Sequence, residues 1–337
     1  MNLRKAVCFL LSTVLLLGGC AAAQPETPEQ KIRNQLTVYV SHKKSVYQPI
    51  LREFEDRTGI WVNVVSGGTN ELLEQIRGEQ AAPAADVMFG GGVESLKAYG
   101  DCFSPYVSRE TGSISQEYLD NESLFTPFSA LPSVLIYNTK LVDTGALEGW
   151  KDLLQPEFRG KIAFADPEVS GSSYTALITA LMALEGSVPD PMKAFVSALD
   201  GALLSGSGEV VKAVSEGRAF VGITLEETAE KAIAAGDHIA IVYPKEGTSC
   251  LPDGAALIKN APHPDNARLF LDFVSGKDVQ TFLTSQECRR SVRTDVPASP
   301  GLPELSALRI LLYDADRACQ EREEMLNSWK ENREAAK

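Results

Sequence analysis

Val64-Val65-Ser66-Gly67-Gly68-Thr69-Asn70-Glu71-Leu72-Leu73-Glu74-Gln75-Ile76 carries an apolar, β-branched run that starts at Ile60 through a Ser-Gly-Gly-Thr-Asn turn and out again as a helical pattern. Glycines let the backbone come close to a ligand, and Thr69 or Asn70 is placed to cap the helix. The first turn of such a helix has unpaired N–H groups and the positive end of the dipole, which suits an anion. Alone, the stretch reads first as an ordinary strand-to-helix turn with a good cap. It gains weight because the same strand–polar loop–helix pattern recurs along the chain.

Upstream, Leu36 to Val40 alternates as a strand, runs into Ser41-His42-Lys43-Lys44-Ser45, and leads to a helical pattern over Val46 to Arg57 that Gly59 stops. Downstream, Ala85 to Phe89 reads as a strand, followed by Gly90-Gly91-Gly92 and a helical stretch to Gly100. Three such units imply a parallel sheet with right-handed crossovers, whose loops emerge together at the carboxyl edge. His42, Thr69 and Gly91 are therefore expected to lie near one another. Pro105 to Pro132 reads as irregular. The pattern restarts with strands at Ser133–Asn138, Gly160–Phe164, Ala219–Thr224 and Ile239–Tyr243. Helices are expected at Tyr174–Leu184, Pro191–Leu199, Glu209–Glu216 and Glu226–Ala235. An extended segment at Gly254–Lys259, two amphipathic helices and a charged terminal helix complete the chain.

At the start, Arg4 and Lys5 precede the apolar run Ala6–Leu17, too short for a normal membrane span. The run ends Leu17-Gly18-Gly19-Cys20, which resembles a bacterial lipoprotein signal. That implies a signal peptide over 1–19, lipid on Cys20, a polar tether over 20–35, and an extracytoplasmic protein anchored to the bacterial cell membrane. Loss of Arg4 and Lys5 takes the formal charge from -13 to -15. So acidic a surface argues against nucleic acid and against general adhesion to anionic lipid. It leaves room for a small anion held by local N–H groups. Cys102, Cys250, Cys288 and Cys319 lack CxxC spacing, so a zinc knuckle or thioredoxin-type site is not expected. Their three full pairings and the free-thiol state stay open.

Several blocks, in order and spacing, resemble family 1 extracellular solute-binding proteins of ABC importers, in the ferric-iron and hexose-phosphate branch. They are Ser66–Leu72, Ser205–Val210, Val221–Glu226, Pro252–Lys259, Asn260–Pro264 and Arg289–Val296. The resemblance implies an α/β, type II periplasmic-binding-protein fold, two doubly wound lobes joined by two crossover segments. Lobe one would hold 36–132 and 256–337, and lobe two 133–255, with hinge strands at 133–139 and 247–257. It also implies hinge closure over a ligand, a permease and an ATPase as partners, and a monomer.

The candidate ligand residues are Ser41, His42, Gly68, Thr69, Asn70 and Gly91 from the first lobe and Ser133 at the crossover. Gly171, Ser172, Ser173, Ser207, Thr224 and Glu226 come from the second. Hydroxyls and N–H groups at helix starts hold phosphate without a large positive field. In the sugar-phosphate branch, the carboxylate after the Val-Gly-x-Thr strand resembles a sugar-hydroxyl contact, and Glu226 stands there. A sugar phosphate or phosphonate is the expected solute. Ferric iron is the alternative, weakened because the nine tyrosines include no Tyr-Tyr pair. A sensor partner of a membrane kinase would share the fold. Arg289, Arg290 and Arg293 could reach a phosphate bidentately, but are expected to pair with acids or to fix the helix to the lobe. No Gly-x-Ser-x-Gly, His-Glu-x-x-His or phosphate-loop motif appears, so the chain is not expected to be an enzyme, and neither a cofactor nor a resident metal is implied.

Overall fold

The first strand, β1 (Gln35–Val40), lies at the centre of a parallel trio with β2 (Trp61–Ser66) on one side and β3 (Val87–Gly92) on the other. The computed structural model describes residues 34–201 and 203–336, without the side chain of Ser207. The signal, Cys20 and tether readings lie outside the described residues. Helices α1 (Lys44–Thr58), α2 (Thr69–Gly78) and α3 (Val93–Ala98) follow the three strands in turn. Helix α1 buries Val46, Ile50, Leu51 and Phe54, the stripe its helical spacing implies. Gly59 ends it at φ +69°, a left-handed cap whose N–H bonds the Glu55 carbonyl.

The short β4 (Phe103–Ser104) precedes a long strand, β5 (Thr126–Asn138). The stretch read as irregular up to Pro132 therefore ends in seven residues of strand. Pro127 and Pro132 hid it, because proline argues against a strand interior. The ladder accommodates them with a register shift between Pro127 and Ser129. Beyond the crossover come β6 (Ile162–Ala163), α4 (Gly171–Leu184), α5 (Pro191–Leu199), α6 (Ser207–Ser215), β7 (Val221–Leu225), α7 (Glu226–Ala234) and β8 (Ile239–Val242). The chain returns through β9 (Cys250–Ile258), α8 (Pro264–Ser275), α9 (Lys277–Gln286) and β10 (Arg290–Ser291). It ends with α10 (Ala315–Gln320) and α11 (Arg322–Ala335).

The strand order is β2-β1-β3-β9-β5-β7-β6. Strand β5 pairs with β9 over 126–132 and with β7 and β8 over 133–138, so it runs from one lobe into the other. Strand β9 pairs with β5 at its start and β3 further on, and just before it the Ser249 carbonyl accepts from the Ser133 N–H, where β5 changes lobes. The architecture is an α/β periplasmic-binding-protein fold. Each lobe has its own core: Phe54, Phe89, Phe128 and Phe270 in the first, Trp150, Phe164, Leu177 and Phe195 in the second. Helix α11, allotted with lobe one from the sequence, packs its fully buried Trp329 against Phe164 and Phe195 of lobe two. The charged sequence of α11 gives little sign of this, since one indole carries the attachment. Cys102, Cys250, Cys288 and Cys319 are all free thiols. No helix among the described residues is long and apolar enough to cross a membrane.

Candidate functional site

The carboxyl ends of β1, β2 and β3 converge as the topology requires. Gly90 and Gly91 sit at φ +112° and +95°, where the β3–β9 register shifts. A Cβ on Gly90 would collide with Ser41 Oγ and lie 3.3 Å from His42 Nε2; one on Gly91 would lie 3.0 Å from Thr69 Cγ2. Glycine is what lets these loops close on one another.

Helix α2 starts differently from its sequence reading. Gly68 is the N-cap residue, and its N–H donates to Glu71 Oε2 at 3.3 Å. Neither Thr69 nor Asn70 is consumed as a cap. Asn70 Nδ2 instead donates to the Glu168 carbonyl of lobe two at 3.2 Å, so the loop 166–173 meets the start of α2. In that loop Ser170 caps α4 by accepting from the Ser173 N–H. Ser170 Oγ also lies 3.1 Å from both Ser172 Oγ and Ser173 Oγ. A Cβ on Gly171 would lie 3.4 Å from Ser95 Oγ of lobe one. The start of α2, with Thr69 beside Gly91, thus meets the loop that leads into Gly171, Ser172 and Ser173 across the lobe boundary, while Ser41 and His42 lie against Gly90 on the lobe-one side.

His42 packs edge-on to Phe89 at 4.6 Å, and its Nδ1 lies 3.7 Å from Asp253 Oδ2. Its Nε2 is buried without a hydrogen bond among the described residues. Burial holds its pKa down at about 4, against the pull of Asp253. Between about pH 4 and 6.5 the unfolded chain binds a proton here that the native chain refuses, so stability rises with pH across that window and is fully present above it. His42→Gln is expected to flatten this acid limb by roughly 3 kcal/mol, measured as urea unfolding between pH 4 and 7.

Beside His42 lies a charged layer that the sequence reading missed. Asp253 accepts from Arg289 Nη1 at 2.8 Å and from the Ser129 N–H at 2.8 Å. Glu227 lies 3.8 Å from both Arg289 and Lys43 and 3.4 Å from Lys231. Burial pushes the Glu227 carboxyl up, but these three cations together outweigh it and hold its pKa at about 2. Lys43 Nζ also donates to Thr228 Oγ1 across the lobes at 3.3 Å. Its place directly after His42, in the Ser-His-Lys-Lys loop, was the available signal.

Five candidates stand outside this convergence. Glu226 is 1 % exposed, with Arg290 donating to both its oxygens at 2.7 and 2.8 Å and Tyr243 Oη donating at 2.6 Å. Its carboxylate is engaged within the protein, which explains the conspicuous charge without a sugar. Ser133 is fully buried at the crossover, with its N–H on the Ser249 carbonyl. Thr224 lies within β7, paired with Val134 of β5. Ser207 opens α6, and Gly68 is exposed at its cap position. The expected pairing of the arginine cluster with acids is what the structure contains: Arg289 with Asp253, Arg290 with Glu226, and Arg293 with Asp295 and Glu110.

Among the described residues no group of three or more His, Cys, Asp and Glu side chains is gathered as a metal site. A mainly apolar cavity of about 560 Å³ lies elsewhere, between α4, the start of α5 and the C-terminal segment. It draws no lining from the polar loops after β1, β2 and β3.

The family described as bacterial extracellular solute-binding protein matches residues 36–286. The iron uptake protein A1 of Synechocystis is 27% identical over 305 residues, covering 84% of this chain and 83% of that protein. A 2-aminoethylphosphonate-binding periplasmic protein, so named provisionally, of Salmonella typhimurium is 24% identical over 299 residues, covering 86% and 87%. The structure of the periplasmic binding protein AfuA from Actinobacillus pleuropneumoniae, with fructose-6-phosphate bound, superposes with a TM-score of 0.82. It is 24% identical and covers 89% of this chain and 98% of that one.

Proposed function

The chain belongs to the bacterial extracellular solute-binding proteins, and from that premise we propose that it captures a small phosphorylated or phosphonate solute, with a sugar phosphate first, between its lobes. It is a non-enzymatic component of ABC import that hands its solute to a permease. Anchoring through lipid on Cys20 and a monomeric state belong to the same proposal.

One observation carries the choice of solute. The starts of α2 and α4 come from different lobes yet meet where Asn70 bonds the Glu168 carbonyl. Two helix N-termini therefore converge on one place, with Thr69, Ser170, Ser172 and Ser173 around it. Converging N–H groups and hydroxyls suit a phosphoryl or phosphonyl group and give a proton-rich cradle in an acidic protein. His42 Nε2 offers a neutral partner for a hydroxyl. The ligand set is thus Ser41, His42, Thr69, Asn70, Gly91 and Gly171 to Ser173.

The iron reading draws on relatives named for iron. Against it stand the phenols: Tyr174, Tyr243 and Tyr313 donate to the Ala318 carbonyl, Glu226 and Glu94, and burial first of all pushes their pKa values up. They are poor sources of phenolate for a hard cation.

A thermal-shift screen of hexose 6-phosphates, 2-aminoethylphosphonate, inorganic phosphate and ferric citrate separates the readings. A hexose phosphate or a phosphonate is expected to raise Tm, with about 2.7 kcal/mol of stabilisation at one hundred times Kd. Thr69→Ala and Asn70→Ala should each weaken the shift. A rise with ferric citrate alone would overturn the proposal.

A further inference from the structure

Glu94, the second residue of α3, is 2 % exposed and makes no ion pair among the described residues. Its Oε1 accepts from Thr175 Oγ1 of lobe two at 2.7 Å and from Tyr313 Oη at 2.6 Å. Tyr313 belongs to a C-terminal strap that touches both lobes and the second crossover. Thr248, at the second crossover, exchanges backbone bonds with Arg309 and Leu311 at 2.9 and 2.8 Å. Asp316 of the strap pairs with Lys97 of lobe one. The Ala318 carbonyl accepts from Tyr174 Oη of lobe two at 2.6 Å, and Trp329 is sunk in the core of that lobe. Further on, Lys330 lies 3.1 Å from Glu168 and Arg333 3.7 Å from Asp166, both in the loop that leads into α4.

We propose that Glu94, Thr175 and Tyr313 form a latch by which the C-terminal strap, acting as a third interlobe tie, holds the lobes closed. The inference rests on the reading of this protein as one that closes over a solute. Opening must separate Thr175 from Glu94, since the two stand on different lobes. It must also strip the strap from one lobe, and Trp329 anchors it to lobe two. The Tyr313–Glu94 bond is therefore the one that gives. A buried carboxylate held only by neutral hydroxyls is sensitive to the loss of either donor, because opening would hydrate it. Glu94 is here a positioning residue that need not touch solute.

Two variants test this in the full mature chain without ligand, by small-angle X-ray scattering alongside thermal melting. Tyr313→Phe keeps the ring and removes one donor. It is expected to shift the closed-to-open ratio about tenfold toward open, seen as a larger radius of gyration with an unfolding transition that remains cooperative. Glu94→Gln keeps the acceptor and removes the charge, and should stay as compact as the native chain. A Tyr313→Phe protein as compact as the native one would overturn the latch. Equal expansion of both variants would also overturn it, since a retained acceptor at position 94 would then not have held the lobes. A parallel titration with fructose 6-phosphate judges the solute reading separately, because the latch is decided in the ligand-free state.

Discussion

Arg290→Ala is expected to lower the unfolding free energy by about 3–5 kcal/mol, the largest stability loss of any single polar substitution considered. The guanidinium donates to both oxygens of Glu226 and to the Pro303 carbonyl at 2.8 Å. Both side chains are at most 4 % exposed, so water cannot replace what is removed. The residual Tyr243 hydroxyl is one neutral donor against a full charge. Urea denaturation followed by circular dichroism measures the loss. Arg290→Met combined with Glu226→Leu should recover most of it, because removing both partners leaves no stranded charge. A loss below about 1 kcal/mol for Arg290→Ala would show that the buried pair contributes little to stability and that Glu226 has another use.

The second large effect is expected at Gly90. Gly90→Ala should cost about 2–4 kcal/mol, combining left-handed strain with overpacking against Ser41 Oγ. It should also abolish the ligand-induced thermal shift, because relief comes by moving Ser41 and His42 out of the gap. Gly92→Ala is the control. Gly92 has φ -68° and ψ 158°, and an added Cβ meets only Glu94 Oε2, at 3.2 Å. It should change stability by less than about 1 kcal/mol. Equal losses at both positions would mean that the glycines serve the strand and not the convergence of the loops.

The repeating strand–loop–helix pattern was legible because each helix carries its apolar stripe and each strand its β-branched run. Parallel topology then brought His42, Thr69 and Gly91 together without any motif. Three features were harder to read. Pro127 and Pro132 masked the first half of β5, whose bulged ladder tolerates them. Trp329 fastens a polar helix to lobe two, and a single buried residue leaves no periodicity to detect. Glu226 was expected as a solute contact because it follows the Val-Gly-x-Thr strand, where the resemblance to the sugar-phosphate branch implies one. Its partner Arg290 lies 64 residues away, and nothing local announces such a pair. The capping role was likewise misplaced by one residue: Gly68 takes it, which leaves Thr69 and Asn70 for the gap.

The most direct test of the central claim is calorimetric titration of the mature protein with fructose 6-phosphate, repeated in the presence of 2-aminoethylphosphonate and of ferric citrate. Saturable one-to-one binding of fructose 6-phosphate, or of the phosphonate titrated alone, is expected, competitive where both bind and weakened in Thr69→Ala. Saturable binding of ferric citrate with no heat from either phosphorus compound would contradict it.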